Sequence, residues 1–133
     1  MPNKTSIKTA KIYLESLDLT YIVDYMCSAN YTLPRWTRDD AKTCMRLYKN
    51  YLLLNIIYPN EALVPTREID EFWHNHILHT KKYFNDCKNI FGVYLHHVPN
   101  DPLEEVELLI QQYANTKELY FNEFNEQLNL IKP

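Results

Sequence analysis

A single glycine, Gly92, in 133 residues is the strictest constraint this sequence places on its fold. A phosphate-binding P-loop or a dinucleotide fingerprint needs several glycines, because backbone must approach phosphate closely. Neither can be built here. Tight hairpins depend on glycine at positive φ, so an all-β chain is disfavoured as well. Helices need glycine only at their ends. The apolar share of 46% fills a core without disulfides or metal, and the length fits one domain over 1–133. The expected fold is therefore all-α, a single-domain helical bundle of four to six helices. Eleven tyrosines make much of the packing aromatic.

Charge narrows the partners. Residues 101–133 carry seven acidic and two basic side chains, a net of −5, and the remaining basic residues are scattered. Such a balance argues against nucleic acid as a partner, since phosphate backbone is bound by clustered Lys and Arg. Cys27, Cys44 and Cys87 are odd in number and have no CxxC spacing, so they read as reduced, mostly buried thiols in a reducing, cytoplasmic setting. No secretory signal is visible near the N-terminus, and the longest greasy stretch, 51–58, is too short to span a bilayer; no membrane association is expected. Export by a route that needs no signal stays open. The abundance of Asn, Lys, Ile and Tyr points to an AT-rich bacterial genome.

Helix punctuation is uneven along the chain. Ile12, Tyr13, Leu17, Leu19, Ile22, Val23 and Met26 give one or two short helices, with Asp18 placed to cap the second. Thr37 with Asp40 three residues on opens a long helix that should stop near Tyr58, ahead of Pro59. The next helix starts at Thr66 and puts Ile69, Phe72, Trp73 and Ile77 on one face. A break at His79-Thr80, with Thr80 as cap, leads into a helix packing Tyr83, Phe84, Cys87, Ile90 and Phe91. Gly92 is its natural stop. Asp101, Pro102 and Glu104 then signal the start of an acidic C-terminal helix over about 102–130, whose apolar face includes Val106, Ile110, Tyr113, Tyr120, Phe124 and Leu128. That face is expected to turn toward the core.

All five histidines lie within 74–97. On a helix at about 100° per residue, His76 falls in the middle of the apolar arc, while Arg67, Glu68, Glu71, Asn75 and His79 fall on the opposite one. Asp70 and His74 sit at the boundary, one turn apart. Three readings follow. In the first, His76 hydrogen-bonds inside the core, Asp70 pairs with His74, and His96 and His97 tie an irregular segment onto the helices, because buried polar groups need partners. In the second, Asp70, His74, His76 and His97 ligate one ion, and imidazole with carboxylate suits zinc or non-haem iron. In the third, Cys87 and a histidine form an acid–base dyad, although a thiol on an apolar helix face resists ionisation.

The run from Pro65 to His97 resembles the glycine-rich-domain-containing-protein-like family, a domain of unknown function. The resemblance is carried by an Asp-x-x-Trp-His-x-His pattern, here Asp70, Trp73, His74 and His76, followed by Tyr83, Asp86, Cys87, Phe91, Gly92, His96 and His97. Upstream, the stretch 36–48 resembles that family's preceding helix, so the likeness covers about 36–99. It implies an all-helical fold and no particular reaction.

Two classes of function stay open. The favoured one is a non-catalytic protein-binding or regulatory module, an adaptor or an inhibitor of a partner enzyme, since no catalytic constellation is complete and tyrosine is enriched at interfaces. A homodimer through an apolar helix face is its natural extension. The alternative is a metal-binding helical domain using Asp70, His74, His76 and His97 with zinc or iron.

Overall fold

In the computed structural model, which describes residues 4–98 and 105–132, every regular element is helical. The order is α1 Lys4–Ser16, α2 Thr20–Met26, α3 Arg38–Ile57, α4 Arg67–Leu78, α5 Thr80–Phe91 and α6 Val106–Phe124. No helix among them is long and apolar enough to cross a membrane.

The long α3 is the central element because its buried side chains spread over several faces, most of all along 51–57. Ala41, Cys44, Tyr48, Leu52 and Leu54 are all buried, and α1, α2, α4 and α6 pack around it. Its start is local chemistry: the Thr37 hydroxyl accepts from the Asp40 N–H at 3.2 Å, and Asp39 and Asp40 face the positive end of the helix. The Thr66 hydroxyl likewise accepts from the Ile69 N–H at 3.1 Å to open α4. Asp18 takes the Thr20 N–H at 2.9 Å in the first turn of α2. Gly92, at φ 78°, closes α5 in the left-handed conformation that only glycine adopts freely. Cys44 and Cys87 are buried and Cys27 is half-buried, all as free thiols.

Several expectations are overturned. The break between α4 and α5 falls where expected, but its cap position is His79, with no side-chain hydrogen bond, and Thr80 is already helical. The middle of the outer arc of α4 does not face water: Glu68 and Asn75 are buried. Glu71 accepts from the Tyr31 hydroxyl at 2.5 Å and the Trp36 indole N–H at 2.7 Å, so the loop after α2 covers that side. Glu68 accepts two successive backbone N–H groups, Ile131 at 2.5 Å and Lys132 at 2.9 Å, so the C-terminal tail covers the rest. Glu68, Glu71 and Asn75 of this arc are thus held by internal hydrogen bonds, whereas Arg67 and His79 are exposed.

Phe84, expected in the core, is 58% exposed, and its place in the packing goes to Asp86. The C-terminal helix runs from Val106 to Phe124 rather than over 102–130. Glu105 is extended and Asn125 is left-handed, and the expected start signals at Asp101, Pro102 and Glu104 lie outside the described residues. Leu128 is buried, but from the tail after the helix. Within α6 only Thr116 and Tyr120 are buried, whereas Val106 is 70% and Ile110 61% exposed. Its first half therefore does not turn an apolar face to the core.

Candidate metal centre

Three of the five histidines fall into two constellations, His76 in one and His74 with His97 in the other. The first is buried. His76, 1% exposed, meets the Tyr48 hydroxyl through Nδ1 at 2.7 Å and Asp86 Oδ2 through Nε2 at 2.8 Å. Asp86 Oδ1 accepts from the Tyr13 hydroxyl at 2.8 Å. An ionised carboxylate only accepts, so Nε2 carries a proton, and in the neutral ring Tyr48 donates to Nδ1. The chain Tyr13–Asp86–His76–Tyr48 thus joins α1, α5, α4 and α3 with each atom satisfied. Burial pushes the Tyr48 hydroxyl far above its ordinary value and the Tyr13 hydroxyl up to about 12. Here His76 departs from the expected ligand set. Both of its nitrogens are engaged in the core, on the face of α4 that packs against α3, so it does not join Asp70, His74 and His97.

The second constellation borders water. Asp70 and His74 lie one turn apart on α4, with His74 Nε2 at 3.6 Å from Asp70 Oδ2. His97 comes from the segment after Gly92, where the chain runs back extended and alternate side chains turn inward: Leu95 and His97 are half-buried while Tyr94, His96 and Val98 are exposed. Two contacts fix that register. The Tyr83 hydroxyl, itself receiving the Trp73 indole N–H at 2.9 Å, donates to the Leu95 carbonyl at 2.5 Å. The His97 ring packs on the Trp73 indole with centroids 4.3 Å apart, and its Nε2 hydrogen-bonds Asp70 Oδ1. The His74 and His97 rings are 4.6 Å apart. One ligand atom from each of Asp70, His74 and His97 lies within 4.8 Å of the other two.

These three residues line a cleft of 660 Å³, together with Tyr51, Asn55, Glu61, Arg67 and His96. The sequence reading therefore places three of its four candidate ligands together. It does not find the cleft, whose far wall is the loop 61–65 that no pattern in the sequence ties to α4. Arg67, assigned to the opposite arc, lines the cleft; its spacing three residues before Asp70 is the signal that would have shown it. Cys87 borders the buried constellation, but among the described residues no hydrogen bond joins it to a histidine. Burial raises its thiol above the ordinary value, and a hydrogen bond with Leu95 backbone only partly offsets this, so it is not an activated nucleophile.

No curated protein and no solved structure matches this chain. A family model does match, over residues 14–128, from the buried Leu14 of α1 to the buried Leu128 of the tail, and so takes in both constellations. By that match the chain belongs to the UCP032817-like family.

Proposed function

We propose that this protein is a metal-binding helical domain that holds one divalent transition-metal ion, zinc or non-haem iron, on Asp70, His74 and His97. The observation that carries the reading is the convergence of three ligand atoms within 4.8 Å of one another at the wall of an open cleft. Two imidazoles and a carboxylate suit these ions. Three protein ligands leave one position of tetrahedral zinc, or three of octahedral iron, for water or a cleft ligand. That count is the mark of a working site rather than a closed structural one. The same reading divides the Asp-x-x-Trp-His-x-His pattern in two, with Asp70 and His74 serving the ion and His76 serving the core.

Elemental analysis of untagged protein purified without chelator, with thermal melts in the presence and absence of EDTA, tests this. One equivalent of metal and a melt lowered by EDTA are expected. His74→Ala and His97→Ala should each lose the metal, whereas His79→Ala, whose ring contacts Tyr21 and the Asn75 carbonyl away from the cleft, should keep it. A metal-free protein with a melt indifferent to EDTA refutes the proposal.

A protein-binding role is favoured by a different observation. Val106, Ile110 and Phe121 are exposed apolar side chains within about 60° of one another around α6, with Lys117 in the same row and Glu107 and Glu118 beside it. This surface suits a protein partner or a second copy of the chain in a reducing compartment. Light scattering after size-exclusion chromatography tests the dimer, and a strict monomer across the micromolar range rejects it.

A further inference from the structure

Arg67, Asp70 and His74 fall within about 60° of one another around α4, at 100° per residue, and so form a row along one wall of the cleft. Asp70 and His74 belong to the metal set, and Arg67 lies one turn before Asp70 and two before His74. Among the described residues no carboxylate pairs with its guanidinium, whose one hydrogen bond goes to the neutral Lys132 carbonyl at 3.2 Å. Among the described residues the other carboxylate lining the cleft, Glu61, accepts from the Asn115 amide at 3.2 Å. With neutral histidines the described lining carries Arg67, Glu61 and Asp70, a net of −1, and a divalent ion turns this to +1. Anion binding is then conditional on the metal.

Resting on the metal reading above, we infer that the cleft takes a small dicarboxylate, one carboxylate on the ion and the other on Arg67. Arg67 precedes Asp70 by three residues and His74 by seven, about 4.5 and 10.5 Å of helix rise, so a carboxylate on its guanidinium stands apart from one on the ion and needs a spacer between the two. The fork of Arg67 suits a carboxylate, which it can hold with two parallel hydrogen bonds. Trp73, Val64 and Pro65 offer apolar surface to the spacer. The volume of 660 Å³ lies in the range of small-molecule sites, about 300–1,000 Å³.

The test is isothermal titration of the full chain with succinate and with acetate, before and after loading with zinc, with zinc content measured in parallel. Succinate should bind the zinc-loaded protein at least tenfold tighter than the metal-free protein, and tighter than acetate. Arg67→Gln should weaken succinate at least tenfold, with acetate affinity and zinc content unchanged. Arg67→Lys, which keeps the charge and loses the fork, should fall between. Succinate binding that ignores Arg67→Gln, or that matches acetate, overturns this inference and leaves the metal reading standing. A chain that takes up no zinc overturns both.

Discussion

Replacing Asp86 by alanine removes one carboxylate that two donors share. His76 Nε2 is left with no acceptor at a position 1% exposed, where water cannot replace the lost partner. A buried donor stranded in this way costs about 1–3 kcal/mol. The Tyr13 hydroxyl also loses its acceptor, but in a half-buried site where solvent recovers part of the loss, so that bond adds about 0.5–1.5 kcal/mol. The sum is about 1.5–4.5 kcal/mol. Against a total stability of about 5–15 kcal/mol for a domain, this is a large fraction. Asp86→Asn should cost less. Its amide can donate to Nε2 if the imidazole changes tautomer and Nδ1–H donates to Tyr48. Urea unfolding followed by far-UV circular dichroism measures both, with the midpoint converted at a common slope. A double-mutant cycle with His76→Ala isolates the pair and should show coupling above about 1 kcal/mol. If Asp86→Ala stays within about 1 kcal/mol of the parent, the buried chain is not what joins α1, α4 and α5, and the reasoning fails.

Three further perturbations probe other parts of the molecule. Glu68→Ala should release the tail that its carboxylate holds through two backbone N–H groups; a loss of about 2–3 kcal/mol follows from charge-assisted bonds, and amide exchange at Ile131 and Lys132 should accelerate. Protection at those two amides equal to that in the parent rejects the clamp. Burial pushes the hydroxyls of Tyr13, Tyr21 and Tyr120 up to about 12, above the ordinary 10.0. Their neutral forms therefore stabilise the fold fully below pH 10, and that contribution disappears as pH rises through about 12. Tyrosinate absorbance at 295 nm should rise together with loss of helical signal in this window. A full rise with helicity intact would contradict the burial. Gly92→Ala meets no atom within 4 Å but must hold a φ of 78°, so the cost is conformational, about 1–2 kcal/mol, and a calorimetric melt should fall by a few degrees.

What could be read in the sequence was what local chemistry decides. Thr37, Thr66 and Gly92 each mark a helix end through a bond within four residues of themselves, and all three ends lie where those residues put them. The i, i+4 pair of Asp70 and His74 is local in the same sense. What failed depends on partners far along the chain. Phe84 is more apolar than Asp86, yet Asp86 takes the core position because His76 and Tyr13, from other helices, supply donors there. Glu68 reads as a solvated residue until the tail, 63 residues later, brings its backbone N–H groups. Between His96 and His97, hydropathy offers no preference; the choice is made by the Tyr83 hydroxyl on Leu95, which sets the register of an extended segment. The weak anchoring of the first half of α6 also escaped a purely periodic reading, since periodicity gives a face and not what lies opposite it.

The stacking of His97 on Trp73 makes the cleft optically addressable. The protein has two indoles, and they sit in unrelated surroundings. Trp36 is hydrogen-bonded to Glu71 under the Lys132 ammonium, 3.6 Å from its ring centroid, and so belongs to the tail. Trp73 is in ring contact with His97 and belongs to the ligand cluster. An imidazole against an indole quenches its emission to a degree set by the charge and position of the imidazole. With Trp36 replaced by phenylalanine, the remaining fluorescence becomes a private channel to the cleft. Any ion or small acid that draws His97 away from the indole then announces itself as a change in brightness, with no label attached.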